Sequence, residues 1–359
     1  MGAPPDPWVP DVLGPGFRAR TVDLDPGSAP HSTATVVRHR PGDVAPVPDG
    51  LRGAVLYLHG WSDYFFNAEL ARTCAAAGYA FYALDLHGYG RNLTDEVLAV
   101  EDGRPGHTTD LADYDDDIAA ALAVMAEDGV PGPRGRLVLM GHSTGGLTAA
   151  MWASRHPDRL DGLALNAPWI GSHGSDVVGA ALRPLVARLA EQHPDHPVRA
   201  RLRSHYYRVI SEHAEGEWPI DSRWRPETSF DITPGWLNAV LQAQGEVAKG
   251  LDLHVPVLVQ TSARSCLLPW WTERMRSADT VLDVRQIRRH ASDLGTDVTL
   301  RSYEGAVHDV HLSREAVRRA AQRDLAAWLR GLGRRPPQAE APGPATRSTA
   351  PPYRRSRRA

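Results

Sequence analysis

The amino-acid sequence predicts an α/β fold, a mostly parallel central sheet flanked by helices and interrupted by a helical cap insertion. Two observations carry this. Short, nearly continuous apolar runs that end in glycine turns alternate with amphipathic segments of helical period. Such runs fit strands covered on both faces, and repeated strand–helix alternation builds a parallel sheet. The alternation then stops between about Trp169 and Gly250, where helical pieces and scattered aromatics take over, and resumes afterwards.

The elements follow in order. "RARTVDL" and "STATVVRHR" alternate like half-buried strands and suit an antiparallel edge hairpin. "GAVLYLHGW" is a buried strand with a glycine turn, followed by a helix over about 65–77 and a second such strand in "YAFYALDLHGYG". "DLADYDDDIAAALAVMAEDG" reads as a helix, acidic where its macrodipole is positive, with "DYDDD" as a solvated first turn. Carboxylates on successive helical residues point in different directions, which argues against a metal site. Strand "RLVLMGHS", helix "TGGLTAAMWASRH" and strand "DGLALNAP" come next. The interrupting region holds "VVGAALRPLVARLAEQ", "WLNAVLQAQGEVAKG" and the aromatics Tyr206, Tyr207, Trp218, Trp224, Phe230 and Trp236. The alternation resumes with "VPVLVQTS", "VLDVRQIRRHASDLG", "DVTLRSYEGA" and "REAVRRAAQRDLAAWLRG". The expected organisation is an N-terminal extension over 1–16, a core over 17–168 and 251–332, a helical cap over 169–250, and a disordered, basic, Pro-rich tail over 333–359.

Composition narrows the function. The chain has 359 residues, 42% hydrophobic and 23% charged, with a net charge of −3. These values fit a soluble globular protein and call for neither nucleic acid nor membrane as partner. The final segment from Arg334 carries seven arginines against one glutamate, so the rest of the chain is more acidic than the total suggests. Two isolated cysteines, Cys74 and Cys266, build no disulfide framework and no thiolate metal site. No signal peptide or membrane-spanning run is expected, which makes the cytoplasm the default compartment.

"RLVLMGHSTGG" carries the chemistry. Gly141-His142-Ser143-Thr144-Gly145 fits G-x-S-x-G between a buried strand and a helix. In that setting the glycines permit a strained turn that displays the serine hydroxyl. A serine needs a base. His308, in "YEGAVHDVHLS", follows the last strand, at the same carboxyl edge of a parallel sheet. His142 is a poorer candidate, because its side chain does not readily face its neighbour's hydroxyl. His308 and His311 lack companions for a metal site, so no metal or other cofactor is expected.

The residues "LHGWSD", "LDLHGYGRN", "GHSTGG", "NAPW" and "GAVHDV", in this order, resemble the α/β-hydrolase fold. They are most similar to the serine aminopeptidase S33-like group, which includes monoacylglycerol lipases and lysophospholipases. The resemblance spans about Arg18 to Gly331. It implies a serine hydrolase whose oxyanion hole is formed by the backbone N–H groups of Trp61 and Thr144. The unpaired amides and positive dipole at a helix start agree with the second assignment. His59 and Gly60 shape that loop. Trp61 and Trp169 are expected to contact substrate.

The acid departs from the family pattern. The resemblance places an Asp shortly after the penultimate strand, where this chain has Ser265. "CLLPWWTERMRSA" intervenes before "DTVLDV", and Asp279 matches the continuation that opens a helix. Asp279 is therefore the expected acid, delayed by an insertion. Asp283 reads better as a first-turn helix carboxylate, and Glu273 and Asp309 as outsiders. The expected activity is hydrolysis of carboxylic esters, monoacylglycerol- or lysophospholipid-like or other small acyl esters, through an acyl-enzyme. Acyl transfer or thioester cleavage by the same triad, peptide or amide cleavage, and a non-catalytic binding scaffold are the rivals.

Overall fold

A computed structural model describes residues 6–24, 32–40, 50–95, 104–132, 135–171, 176–197 and 205–333. The tail expected to be disordered lies, beyond its first residue, outside the described residues. The strands are β1 (Val9–Pro10), β2 (Phe17–Asp23), β3 (Thr33–His39), β4 (Gly53–Leu58), β5 (Tyr79–Asp85), β6 (Arg136–His142), β7 (Gly162–Asn166), β8 (Val257–Ser262) and β9 (Val298–Tyr303). They form one sheet in the order β1-β2-β3-β5-β4-β6-β7-β8-β9. β5, β4, β6, β7, β8 and β9 run parallel, and β1, β2 and β3 add an antiparallel edge. This is the α/β-hydrolase fold.

The helices are α1 (Ala68–Ala76), α2 (Tyr114–Glu127), α3 (Thr144–Arg155), α4 (Asp176–Gln192), α5 (His205–Ile210), α6 (Pro234–Val247), α7 (Val284–His290) and α8 (Glu315–Gly331). Every residue of β4 is buried, which is why that strand reads as an unbroken apolar run. Along α8 the buried positions Arg318, Ala321, Gln322, Leu325, Ala326 and Leu329 keep the three–four spacing of one helix face. Two apolar layers result, one on each face of the sheet. Leu56, Ile118, Leu147 and Trp236 belong to one, and Tyr57, Leu70, Phe81 and Leu329 to the other.

Three local expectations change. The segment before residue 17 is more than an extension: Trp8 is buried, Val9 and Pro10 pair with β2, and Asp11 accepts from Arg91 at 2.6 Å. In "DYDDD", Asp117 is fully buried and accepts from the His87 backbone N–H and Nδ1, both at 2.7 Å. The helix expected to open at Asp279 instead begins at Val284. Asp283 is its N-cap, with its carboxylate accepting from the Arg285 N–H.

The registers matter most for the site. Leu58 lies beside Gly141, His142 beside Asn166, and Ser262 beside Tyr303. The carboxyl ends of β4, β6, β7, β8 and β9 are therefore level, and the loops leaving them share one rim. Helices α4, α5 and α6 all lie between β7 and β8 in the chain, and α4 packs along α6.

Candidate active site

Ser143 joins β6 directly to α3. Its backbone sits at φ 53°, ψ −118°, a conformation rare for any residue with a side chain. Such strain, about 1–3 kcal/mol, persists only where the surroundings enforce it. Here Gly145 packs so tightly that a Cβ would lie 2.1 Å from the His59 carbonyl oxygen. The start of α3 therefore presses on the turn after β4. At Gly60 a Cβ would come within 3.1 Å of Ser143 Cβ, so that turn also touches the serine. His59 braces it: its Nδ1–H donates to the Gly60 carbonyl at 2.8 Å and its Nε2 accepts from the Leu86 N–H at 3.1 Å.

The Ser143 hydroxyl donates to His308 Nε2 at 3.0 Å, and His308 Nδ1–H donates to Asp279 Oδ2 at 2.8 Å. All three residues are buried, Asp279 completely. The other carboxylate oxygen of Asp279 accepts the backbone N–H groups of Val281 and Leu282, each at 2.8 Å, which fixes the group in the orientation the imidazole requires. The structure thus brings together Ser143, His308 and Asp279.

Asp279 reaches this place through a pinched loop. Ser265 and Asp279 form an isolated bridge, with the Cys266 N–H bonded to the Asp279 carbonyl at 2.7 Å and the Asp279 N–H to the Arg264 carbonyl at 2.9 Å. Residues 266–278 leave and return at one point. The Ser265 hydroxyl donates to the Leu282 carbonyl and accepts from the Val284 N–H, tying the strand end to α7.

Asp309 stands apart from His308 Nδ1 and holds the histidine loop instead. It accepts from Asn166 Nδ2 at 2.6 Å and from the His311 N–H at 2.8 Å, while Asn166 Oδ1 accepts from the Val310 N–H at 3.1 Å. Asn166 also receives the Ser143 N–H on its carbonyl at 3.0 Å, so one residue of β7 ties the serine turn to the histidine loop. His142 bonds the same carbonyl through Nδ1. Its ring lies 4.8 Å from that of His308. Burial pushes its pKa down to about 3, so it stays neutral.

Ser143 and His308 open onto a cavity of about 120 Å³, walled also by Trp61, Tyr206, Tyr207, Arg225 and Val281. Trp61 thus borders the cavity. Trp169 is not among the described residues that line the cavity: its backbone N–H donates to the Ser143 carbonyl and its ring packs 5.9 Å from that of Trp236. The residue that sequence reasoning missed is Arg225. It is buried, donates to Asp63 Oδ1 at 2.6 Å and lies 4.8 Å over the Tyr206 ring. Nothing in "SRWRPETSF" distinguishes it from its neighbour Arg223, which is exposed. Glu273 opens a short 3-10 turn within the pinched loop and is not among the residues around His308.

The monoacylglycerol lipase of Mycolicibacterium smegmatis is 24% identical over 282 residues, covering 77% of this chain and 88% of that protein. Lysophospholipase L2 of Escherichia coli is 34% identical over 108 residues, 30% of each chain. Among solved structures, the monoglyceride lipase of Saccharomyces cerevisiae superimposes with a TM-score of 0.59 at 18% identity, over 88% of this chain and 96% of that one. The monoacylglycerol lipase of Paleococcus ferrophilus gives 0.56 at 19% identity, over 80% and 97%. At such identities the structures establish the fold alone. The family described as serine aminopeptidase, S33, matches residues 49–315. The chain is therefore an α/β hydrolase and belongs to the serine aminopeptidase S33 family.

Proposed function

We propose that this protein hydrolyses carboxylic esters, monoacylglycerol- or lysophospholipid-like or other small acyl esters, through a Ser143–His308–Asp279 triad and an acyl-enzyme. The observation that carries the reading is the unbroken chain of hydrogen bonds from the Ser143 hydroxyl through His308 to a carboxylate already fixed by two backbone amides. His308 Nε2 takes the hydroxyl proton as Oγ attacks the ester carbonyl. The negative oxygen is received by the N–H groups of Trp61 and Thr144, the first following the Gly60 turn that packs against Ser143 and the second at the start of α3. His308 then returns the proton to the departing alkoxide, and a water activated in the same way frees the acid and restores Ser143. Asp279 holds the Nδ1–H tautomer and balances the imidazolium.

A second protonated ring 4.8 Å from His308 would oppose that transient charge, and burial keeps His142 neutral. The Arg225 charge on the cavity wall is met by Asp63. The names of the relatives point to glycerol esters and lysophospholipids as substrate classes for comparison. Turnover of p-nitrophenyl esters beside monoacylglycerols tests the reading. The wild-type protein should release acid from at least one series, and Ser143→Ala should release none. Equal turnover by both proteins would refute it.

A further inference from the structure

We infer that the acyl group this enzyme accepts is short, and that Tyr207 sets the limit. The inference rests on the ester-hydrolase reading of Ser143 and goes beyond it to substrate class. Pockets that enclose drug-sized ligands run to about 300–1,000 Å³. The space at Ser143 is about 120 Å³, room for a group of a few heavy atoms.

Among the described residues, side chains bound that space at two ends. Behind Trp61 aromatics are packed: its ring lies 3.8 Å from that of Trp236, with Tyr89 and Phe230 meeting it edge-on at 5.9 and 6.0 Å. Trp236 is itself almost fully buried in the main core, so this wall is backed by the fold. At the other end stands Tyr207 on α5. Past it lies a second hollow of about 500 Å³, bordered by His205, Arg208, His213, Glu215 and Glu227. Among the described residues, Tyr207 lines both spaces. It therefore partitions a small catalytic cavity from a larger, polar one. An acyl chain that fills the first must either displace a stacked aromatic wall or pass Tyr207 into charged surroundings, and both penalise long alkyl chains.

The test is a kcat/KM series on p-nitrophenyl acetate, butyrate, octanoate and decanoate, with wild-type protein and Tyr207→Ala. The wild type should favour acetate or butyrate over decanoate by at least about 100-fold, given what single methylenes cost in a closed pocket. In Tyr207→Ala the ratio of decanoate to acetate should rise about tenfold or more as the two spaces merge. Reading a ratio within each protein separates a change of selectivity from a general loss of folded enzyme. A wild-type optimum at octanoate or longer overturns the inference, and so does an unchanged ratio in the variant. Absence of turnover across the whole series, with no fluorophosphonate adduct on Ser143, overturns the hydrolase reading itself.

Discussion

Ser265 and Asp279 are bridge partners although residues 266–278 lie between them. The strand end and the carboxylate are thus neighbours in space, and the long excursion costs the site nothing in geometry. Asp279 reaches His308 Nδ1 at 2.8 Å from this pinch. Asp279→Asn should lower kcat by on the order of 10²–10⁴-fold, because the imidazole loses both the orienting acceptor and the balancing charge. Asp283→Asn should cost far less, since that side chain caps α7 and pairs with Arg285. Steady-state kinetics of the two variants checks this; similar losses in both would point to a structural effect of the loop.

The buried pair of Arg225 and Asp63 gives a stability prediction. Both side chains are almost wholly enclosed. Burial raises the pKa of Asp63, while Arg225 pulls it back down. Arg225→Met would strand a buried carboxylate at a cost of about 3–5 kcal/mol. Adding Asp63→Asn should recover much of that. Urea denaturation of the single and double variants measures the coupling, and additive effects would argue against it.

How much of this was legible in the sequence depends on range. β4, β6 and β8 are buried on both faces, so their apolar runs announced them. The glycine-bounded serine and the histidine after the last strand were readable because chain order in a parallel sheet fixes the edge each loop leaves from. Asp279 was reachable through its "DTVLDV" continuation, but the start of α7 was not, because the Asp279 side chain spends its acceptors on the next turn rather than on a helix. Asp117 reads as solvated because its partner, His87, comes from a distant loop. Arg225 and the Asn166–Asp309 tie depend on contacts across the chain that no local pattern encodes.

Acid should weaken the fold in a defined window. His142 and His311 are buried and neutral, with burial pushing their pKa values down to about 3 and about 4 from an ordinary 6.5. Among the described residues, neither ring nitrogen of His311 has a hydrogen-bond partner. Below pH 6.5 the unfolded chain takes up protons that the folded chain refuses, so stability is full above that value. It falls as pH drops toward 4, by on the order of a few kcal/mol. His311→Leu should make the decline shallower without lowering stability at pH 7.5. Thermal unfolding between pH 7.5 and 4.5 reads this directly, and a flat profile for the wild type would contradict it.

As an activated nucleophile, Ser143 should react covalently with a serine-directed electrophile. Wild-type protein treated with a fluorophosphonate should gain one adduct by intact mass, and peptide mapping should locate it on Ser143. His308→Ala should label far more slowly, and Ser143→Ala not at all. An adduct elsewhere, or equal labelling of the Ser143→Ala protein, would contradict the assignment.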